Sequence, residues 1–251
     1  MKPATIVCAC VISVFAAASA QAGGLNLAWD GCLSEGGVSN KAFACNTNVG
    51  AEHIYGSFIP LNAWPDMMGA DTYLYVQTQS TSLPDWWAFH NTGTCRQNAA
   101  AMTANFVSLP NVVCQDPWNG QAASGIGSYT TPSPDVIFGA NTARFAMAEA
   151  VANVNAFPVT PGTEYLLFDV VINHTKTVGT GSCAGCTTPA CLLFAKANIY
   201  ALNGGPSGQI VEVLTAPAQS NCIDWRGGSG LCNAAVPAKN ATWGAIKSLY
   251  R

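Results

Sequence analysis

The residues with the clearest chemical potential in this chain are three cysteines in one short loop, Cys183-x-x-Cys186-x4-Cys191, with His174 nine residues before the first. Three thiolates and an imidazole make a Cys3His set. Zinc takes such a set tetrahedrally, and a Cys-x-x-Cys turn supplies two of the ligands. The same turn can also cycle between dithiol and disulfide. In an oxidising compartment a third outcome dominates: the thiols pair, and the loop is stapled. Which chemistry applies depends on where the chain resides.

Other constellations are sparser. The histidines are His53, His90 and His174, with no His-x-His or His-Glu-x-x-His spacing to mark a mononuclear metal site. No serine has glycines at both −2 and +2, so the nucleophile elbow of the α/β hydrolases is absent. The carboxylates Asp85, Asp116, Glu149, Glu164, Asp169 and Glu212 are scattered, and sequence spacing does not show which would face one another across a glycosidic bond. Asp169 stands out because it lies inside an otherwise apolar run. No catalytic residue, metal site or cofactor is assigned. The aromatic residues offer a binding chemistry: Tyr73, Tyr75, Trp86 and Trp118 are candidates for a platform on which sugar rings stack, with Trp87 and Phe89 assigned to the core.

The N-terminus decides the compartment. Lys2, the apolar run Ile6–Ala18 and two small-x-small sites, Ala18-Ser19-Ala20 and Ala20-Gln21-Ala22, read as a signal peptide over residues 1–22, the mature chain starting at Gln21 or Gly23. The apolar run is too short for the roughly 20 residues of a spanning helix. The expected location is therefore secreted, extracellular or periplasmic, with no membrane span. Of eleven cysteines, Cys8 and Cys10 leave with the leader. The remaining nine are Cys32, Cys45, Cys95, Cys114, Cys183, Cys186, Cys191, Cys222 and Cys232. Neighbours in sequence suggest the pairs Cys32–Cys45, Cys95–Cys114 and Cys222–Cys232. The central triplet would then hold one further pair and one thiol, or pair outside itself.

Composition narrows the partners. Charged residues are only 9% of the 251, against roughly a quarter in an average soluble domain. A net charge of -3 without a basic run excludes nucleic acid, whose binding uses clustered Lys and Arg.

Positioning falls to β-strands. From Thr163 to His174, Leu166, Phe168, Val170 and Ile172 share one face, and Tyr165, Leu167 and Val171 flank Asp169 on the other. Apolar residues on both faces predict a strand covered on both sides. The run to Ala201 alternates, with Leu193, Ala195, Ala197 and Ile199 inward and Lys196, Asn198 and Tyr200 outward, so the two strands read as a central hairpin. Ala70–Gln79 places Leu74 and Val76 inward and Tyr73, Tyr75, Gln77 and Gln79 outward. Pro110–Pro134 reads as a long loop, Asn141–Asn153 as a strand, and Asn221–Asn233 as a disulfide-closed loop. About nine strands between turn signals predict an all-β, disulfide-stapled β-sandwich, jelly-roll or Ig-like, over residues 23–238. The tail 239–251 carries Trp243, Ile246, Leu249 and Tyr250 at near-helical spacing, suited to docking, sorting or packing on the sandwich.

Two segments carry a resemblance. Ala70–Phe89, a strand broken by Leu83-Pro84-Asp85 before aromatics, resembles the early strand of cohesin-type jelly-roll modules. Glu164–Leu214, with two long strands and then Asn203-Gly204-Gly205, is similar to their closing strands. The resemblance implies a jelly-roll sandwich and non-catalytic binding of a dockerin partner, although dense cysteines and long loops set this chain apart. The whole, with the Thr242–Lys247 tail, also resembles secreted bacterial proteins of unknown function. The expected function is a non-catalytic surface, matrix or ligand-binding protein whose partner is a glycan or cell-surface polymer. A secreted hydrolase of polysaccharide or ester substrates and a self-assembling envelope or filament subunit are the alternatives.

Overall fold

The computed structural model describes residues 23–89, 92–106, 114–134, 139–204, 209–230 and 232. Residues 1–22, read above as a leader, His90 and the tail 239–251 lie outside them. The described strands are β1 (Gly24–Trp29), β2 (Asn40–Lys41), β3 (Ala51–Ile59), β4 (Trp64–Thr78), β5 (Ala100–Thr103), β6 (Ala123–Thr130), β7 (Thr142–Ala150), β8 (Phe157–Val159), β9 (Tyr165–Asn173), β10 (Ala190–Ala201), β11 (Gln209–Leu214) and β12 (Cys222–Trp225). They form two sheets. The smaller runs β1-β3-β9-β5, and the larger runs β2-β12-β10-β4-β7-β6, with β11 also on β10 and β8 on β4. The chain is an all-β sandwich. No helix among the described residues is long and apolar enough to cross a membrane.

β9 behaves as its two apolar faces require. Leu166, Phe168, Val170 and Ile172 are fully buried in the core, and Leu167 and Asp169 are buried on the opposite face. The Phe168 ring lies over Gly56 of β3 so closely that a Cβ there would sit 2.2 Å from its Cζ. A glycine at that site lets the ring reach across to Phe194 of β10, at 5.0 Å between centroids and edge-on.

Four expectations are corrected. β9 and β10 are not a hairpin. β9 lies between β3 and β5 in one sheet, and β10 between β12 and β4 in the other, so residues 174–189 carry the chain across the end of the sandwich. The stretch 110–134 contains β6, which is rich in Gly and Ser and gives little period-2 signal. The stretch 221–233 contains β12. In β10 a register shift between Phe194 and Lys196 turns Leu192, Phe194, Ala197 and Ile199 inward, and Leu193 outward opposite Tyr75.

The cysteine pairing is long-range. Cys32 bonds Cys114, Cys45 bonds Cys186, and Cys95 bonds Cys183. The local pairs Cys32–Cys45 and Cys95–Cys114 are overturned, and so is a pair within the triplet. The physical reason is the crossing: residues 174–189 bridge two sheets, and Cys183 and Cys186 pin that bridge to two different loops. Their sequence separations are 88 and 141 residues. Chain-entropy loss in the unfolded state then predicts about 4.5–5 kcal/mol for each bond.

Beneath these bonds lies an aromatic cluster. Phe43 stacks on Trp225 at 3.6 Å and packs on Trp86 at 5.4 Å. The Arg96 guanidinium sits 4.0 Å over the Trp86 ring, fully buried, and donates to the carbonyls of Asn173 and Thr175 at 2.6 Å each. Two measurements test this frame. Non-reducing peptide mapping is expected to return the three long-range pairs. Arg96→Lys is expected to lower stability by about 2–3 kcal/mol in denaturant melts, because an ammonium cannot stack on Trp86 and reach both carbonyls together.

Candidate functional site

The outward face of the larger sheet carries the grouping with most binding potential. Along β4 the residues Gly69, Asp71, Tyr73, Tyr75 and Gln77 point outward at alternate positions, about 6.8 Å apart. Cross-strand registry sets Arg144 of β7 opposite Tyr75, and Lys196 and Asn198 of β10 opposite Tyr73 and Asp71. Three hollows lie in file on this strand. A cavity of about 260 Å³ is lined by Met68, Gly69, Asp71, Ala148, Glu149 and Tyr200, among others. One of about 250 Å³ is lined by Tyr73, Tyr75, Arg144 and Lys196. One of about 480 Å³ is lined by Gln77, Thr78, Gln79, Asn141, Ser229 and Gly230, among others. From Gly69 to Gln77 the track runs roughly 27 Å.

Both cations of the middle hollow lie near one ring. The Arg144 guanidinium is 5.4 Å and the Lys196 ammonium 5.7 Å from the Tyr73 centroid. In the first hollow, Tyr200 donates its hydroxyl proton to Asp71 Oδ2 at 2.5 Å. Burial and the Asp71 carboxylate push the Tyr200 phenol up to about 12, so it stays a donor at neutral pH. This face therefore offers one half-buried aromatic ring, Tyr73, beside the largely buried Tyr75, with two cations, one carboxylate and several amides. Hydrogen bonding and ring stacking are what such a set can do.

The structure keeps two of the four predicted platform residues together and removes two. Tyr73 and Tyr75 share the middle hollow. Trp86 and Trp118 are buried, at 0% and 1% exposure, and cannot meet a ligand. Asp85–Trp87 is a 3₁₀ turn, not an extended segment, and it sends both tryptophans into the core. Trp86 Nε1 donates to Thr177 Oγ1 at 3.1 Å, and Trp118 packs edge-on against Phe157. Sequence reasoning missed Arg144, Lys196, Asp71 and Tyr200 as site residues. Their grouping depends on strand registry, for which one sequence holds no signal.

Most of the carboxylates have structural partners. Glu164 accepts from Asn26 and Ser57, Glu212 from the Leu61 amide and Trp64 Nε1, and Asp116 from the Trp118 amide. Glu52 joins buried His174 to Lys41, which also pairs with Asp30. Asp169 receives His53 Nδ1 at 2.7 Å on the outward face of the smaller sheet. Hydrogen bonding to this carboxylate raises the His53 pKa, and burial raises that of Asp169. Among the described residues no hydroxyl or thiol hydrogen-bonds the other nitrogen of His53. Glu149 differs from the rest. Its carboxyl is buried without a hydrogen-bond partner among the described residues, and burial, then the nearby Asp71 charge, push its pKa well up.

Cys191, Cys222 and Cys232 are the described residues grouped as metal ligands are, with their sulfurs within 4.8 Å of one another. Fully reduced, they could hold a thiophilic ion; oxidised, they hold a disulfide. No protein-family model matches this chain, and no curated protein does.

The pH dependence follows from the raised groups. Glu149, Asp169 and His53 all bind protons more tightly in the folded than in the unfolded chain. Their contributions are present below the unfolded values, about 4 for the carboxyls and about 6.5 for His53, and are lost as pH rises through the folded values. The melting temperature is expected to fall between about pH 5 and pH 8, and to fall less in Glu149→Gln. Each kcal/mol of difference appears as about 2–4 °C.

Proposed function

We propose that the protein is exported and acts without catalysis, holding an extended glycan of a cell surface or matrix along β4. The observation that carries this reading is the file of three hollows with Tyr73 and Tyr75 in the middle one. Sugar rings present flat C–H faces that stack on a half-buried ring such as Tyr73, while hydroxyls pair with amides such as Gln77 and Gln79. Arg144 and Lys196 suit a polymer that carries carboxylates. Lys196 has no carboxylate partner among the described residues, so an acidic sugar would meet a cation that needs no unpairing. The signal peptide and the cysteine pairs support export, since such bonds persist in oxidising compartments.

One observation favours the hydrolytic alternative: His53 is oriented by buried Asp169, as a general base would be. It lies on the opposite sheet from the hollows.

Titration calorimetry with neutral and uronate-containing polysaccharides separates the readings. Tyr73→Ala is expected to weaken binding by about two- to twelvefold, the loss of one stacking contact worth about 0.5–1.5 kcal/mol. Lys196→Gln should lose only the preference for the acidic polymer, and His53→Gln should bind as wild type. Equal binding by Tyr73→Ala and wild type would remove β4 as the ligand track.

A further inference from the structure

The larger sheet's outward face holds three cysteines where two would make a staple. Cys191 of β10 and Cys222 of β12 stand on adjacent antiparallel strands, with their sulfurs 3.4 Å apart. Cys232 arrives over both, with Cα–Cα distances of 5.9 Å to Cys191 and 5.4 Å to Cys222. Both lie within the disulfide range. A sulfur forms one disulfide only, so either partner satisfies Cys232 and the other is left as a thiol. The remaining six cysteines downstream of the leader are committed to three distant pairs. The surplus thiol therefore belongs to this cluster.

We propose that Cys191, Cys222 and Cys232 form a thiol–disulfide exchange triad, one disulfide and one thiol shared among three sulfurs, that clamps or releases the segment leading into the C-terminal tail. In the exchange, the Cys191 thiol loses its proton and its thiolate attacks Cys222 Sγ. The Cys191–Cys222 bond forms, the Cys222–Cys232 bond breaks, and its electron pair leaves on Cys232 Sγ, which takes up the proton. The step is redox-neutral and needs no outside oxidant.

The three states differ in exposure. Cys191 is fully buried and Cys222 nearly so, while Cys232 is partly exposed. Pairing Cys191 with Cys222 moves the thiol from a buried position to the most accessible one. It also frees the one side-chain cross-link described between Cys232, downstream of residues 226–230, and the sheet. That segment is laid tightly against β10 and β4: a Cβ at Gly228 would meet the Ala190 carbonyl oxygen at 2.0 Å, and one at Gly230 the Gln77 side chain at 2.2 Å. Ser229 and Gly230 line the third hollow, and Tyr75 packs against Cys191 and Cys222. Release of Cys232 thus alters a wall of that hollow. The exchange stands whether or not a glycan binds there.

The test uses the exported full chain, acid-quenched, unfolded and blocked with N-ethylmaleimide, then mapped by mass spectrometry. The expected result is one blocked thiol per chain, distributed over at least two of positions 191, 222 and 232. Cys232→Ser is expected to carry a Cys191–Cys222 disulfide and no thiol, and Cys191→Ser a Cys222–Cys232 disulfide and no thiol. A wild-type thiol confined to one position, two thiols in Cys232→Ser, or three thiols copurifying with one metal ion per chain would each overturn the exchange.

Discussion

The fold depends on how one end of the sandwich is closed around a buried arginine. Residues 174–189 must leave the smaller sheet and enter the larger one, and a crossing of that kind strands backbone carbonyls beyond the last ladder hydrogen bonds. Arg96 answers this with its two terminal nitrogens, on Asn173 O and Thr175 O. A buried charge without a carboxylate partner is costly. Here the aromatic faces of Trp86 and Phe89 and the carbonyl dipoles replace water around it. Burial lowers its pKa only to about 10, so it remains a cation at neutral pH. The neighbouring residue, Cys95, ties the same point to Cys183 of the crossing. Arginine, disulfide and aromatic cluster therefore act as one fastening, and both sheets are placed by it.

Because the sheets are placed, their outward faces have different fates. The smaller sheet is covered. Residues 216–220 run along β1, with Leu25 and Leu27 donating to Ala216 and Ser220 and Ala218 donating back to Leu25. This cover buries the polar set Asn26, Ser57 and Glu164, in which Asn26 and Ser57 both donate to Glu164 Oε1. The larger sheet keeps an open face over β4 and β7, where small residues Ala146, Ala148 and Ala150 leave room beside the tyrosines. In a chain with so few charges, Arg144, Lys196 and Asp71 on one such face are a concentration of polarity. The core has no use for them, which is why the binding reading falls on this face.

The sequence made some of this legible, and the reasons are physical. β9 and β4 announced themselves because burial writes a period of 2 into side-chain type, and Tyr73 and Tyr75 were read as outward for that reason. Asp169 was singled out by its apolar neighbours, and its partner His53 sits 116 residues away, which no local pattern records. The inversion of Leu193 comes from a bulge, where one extra residue shifts every later side chain without leaving a mark in composition. Proximity in sequence misled over the cysteines and over the hairpin for the same reason. Both guesses assumed that chain neighbours are spatial neighbours, and a sandwich violates this wherever the chain changes sheets. Trp86 and Trp118 failed because aromatic type states an affinity for apolar surroundings and leaves open whether a ligand or the core supplies them.

Glu149 carries the last step. Native interiors leave few polar groups unpaired, and an unpaired one needs a reason. Its neighbours along β7, Phe145 and Met147, show that an apolar side chain fits the same inward row. A hydrocarbon at 149 would satisfy the core and remove the desolvation cost. The carboxyl instead points inward from β7 behind the first hollow with both oxygens buried, and burial, then the Asp71 charge, hold its pKa well above the ordinary carboxylate range. A sequence consistent with its fold at every level tends to break that consistency where function asks for it. The open face, the tyrosines and the surplus cysteine lie on or beside the same β4–β7–β10 surface, with Glu149 beneath it.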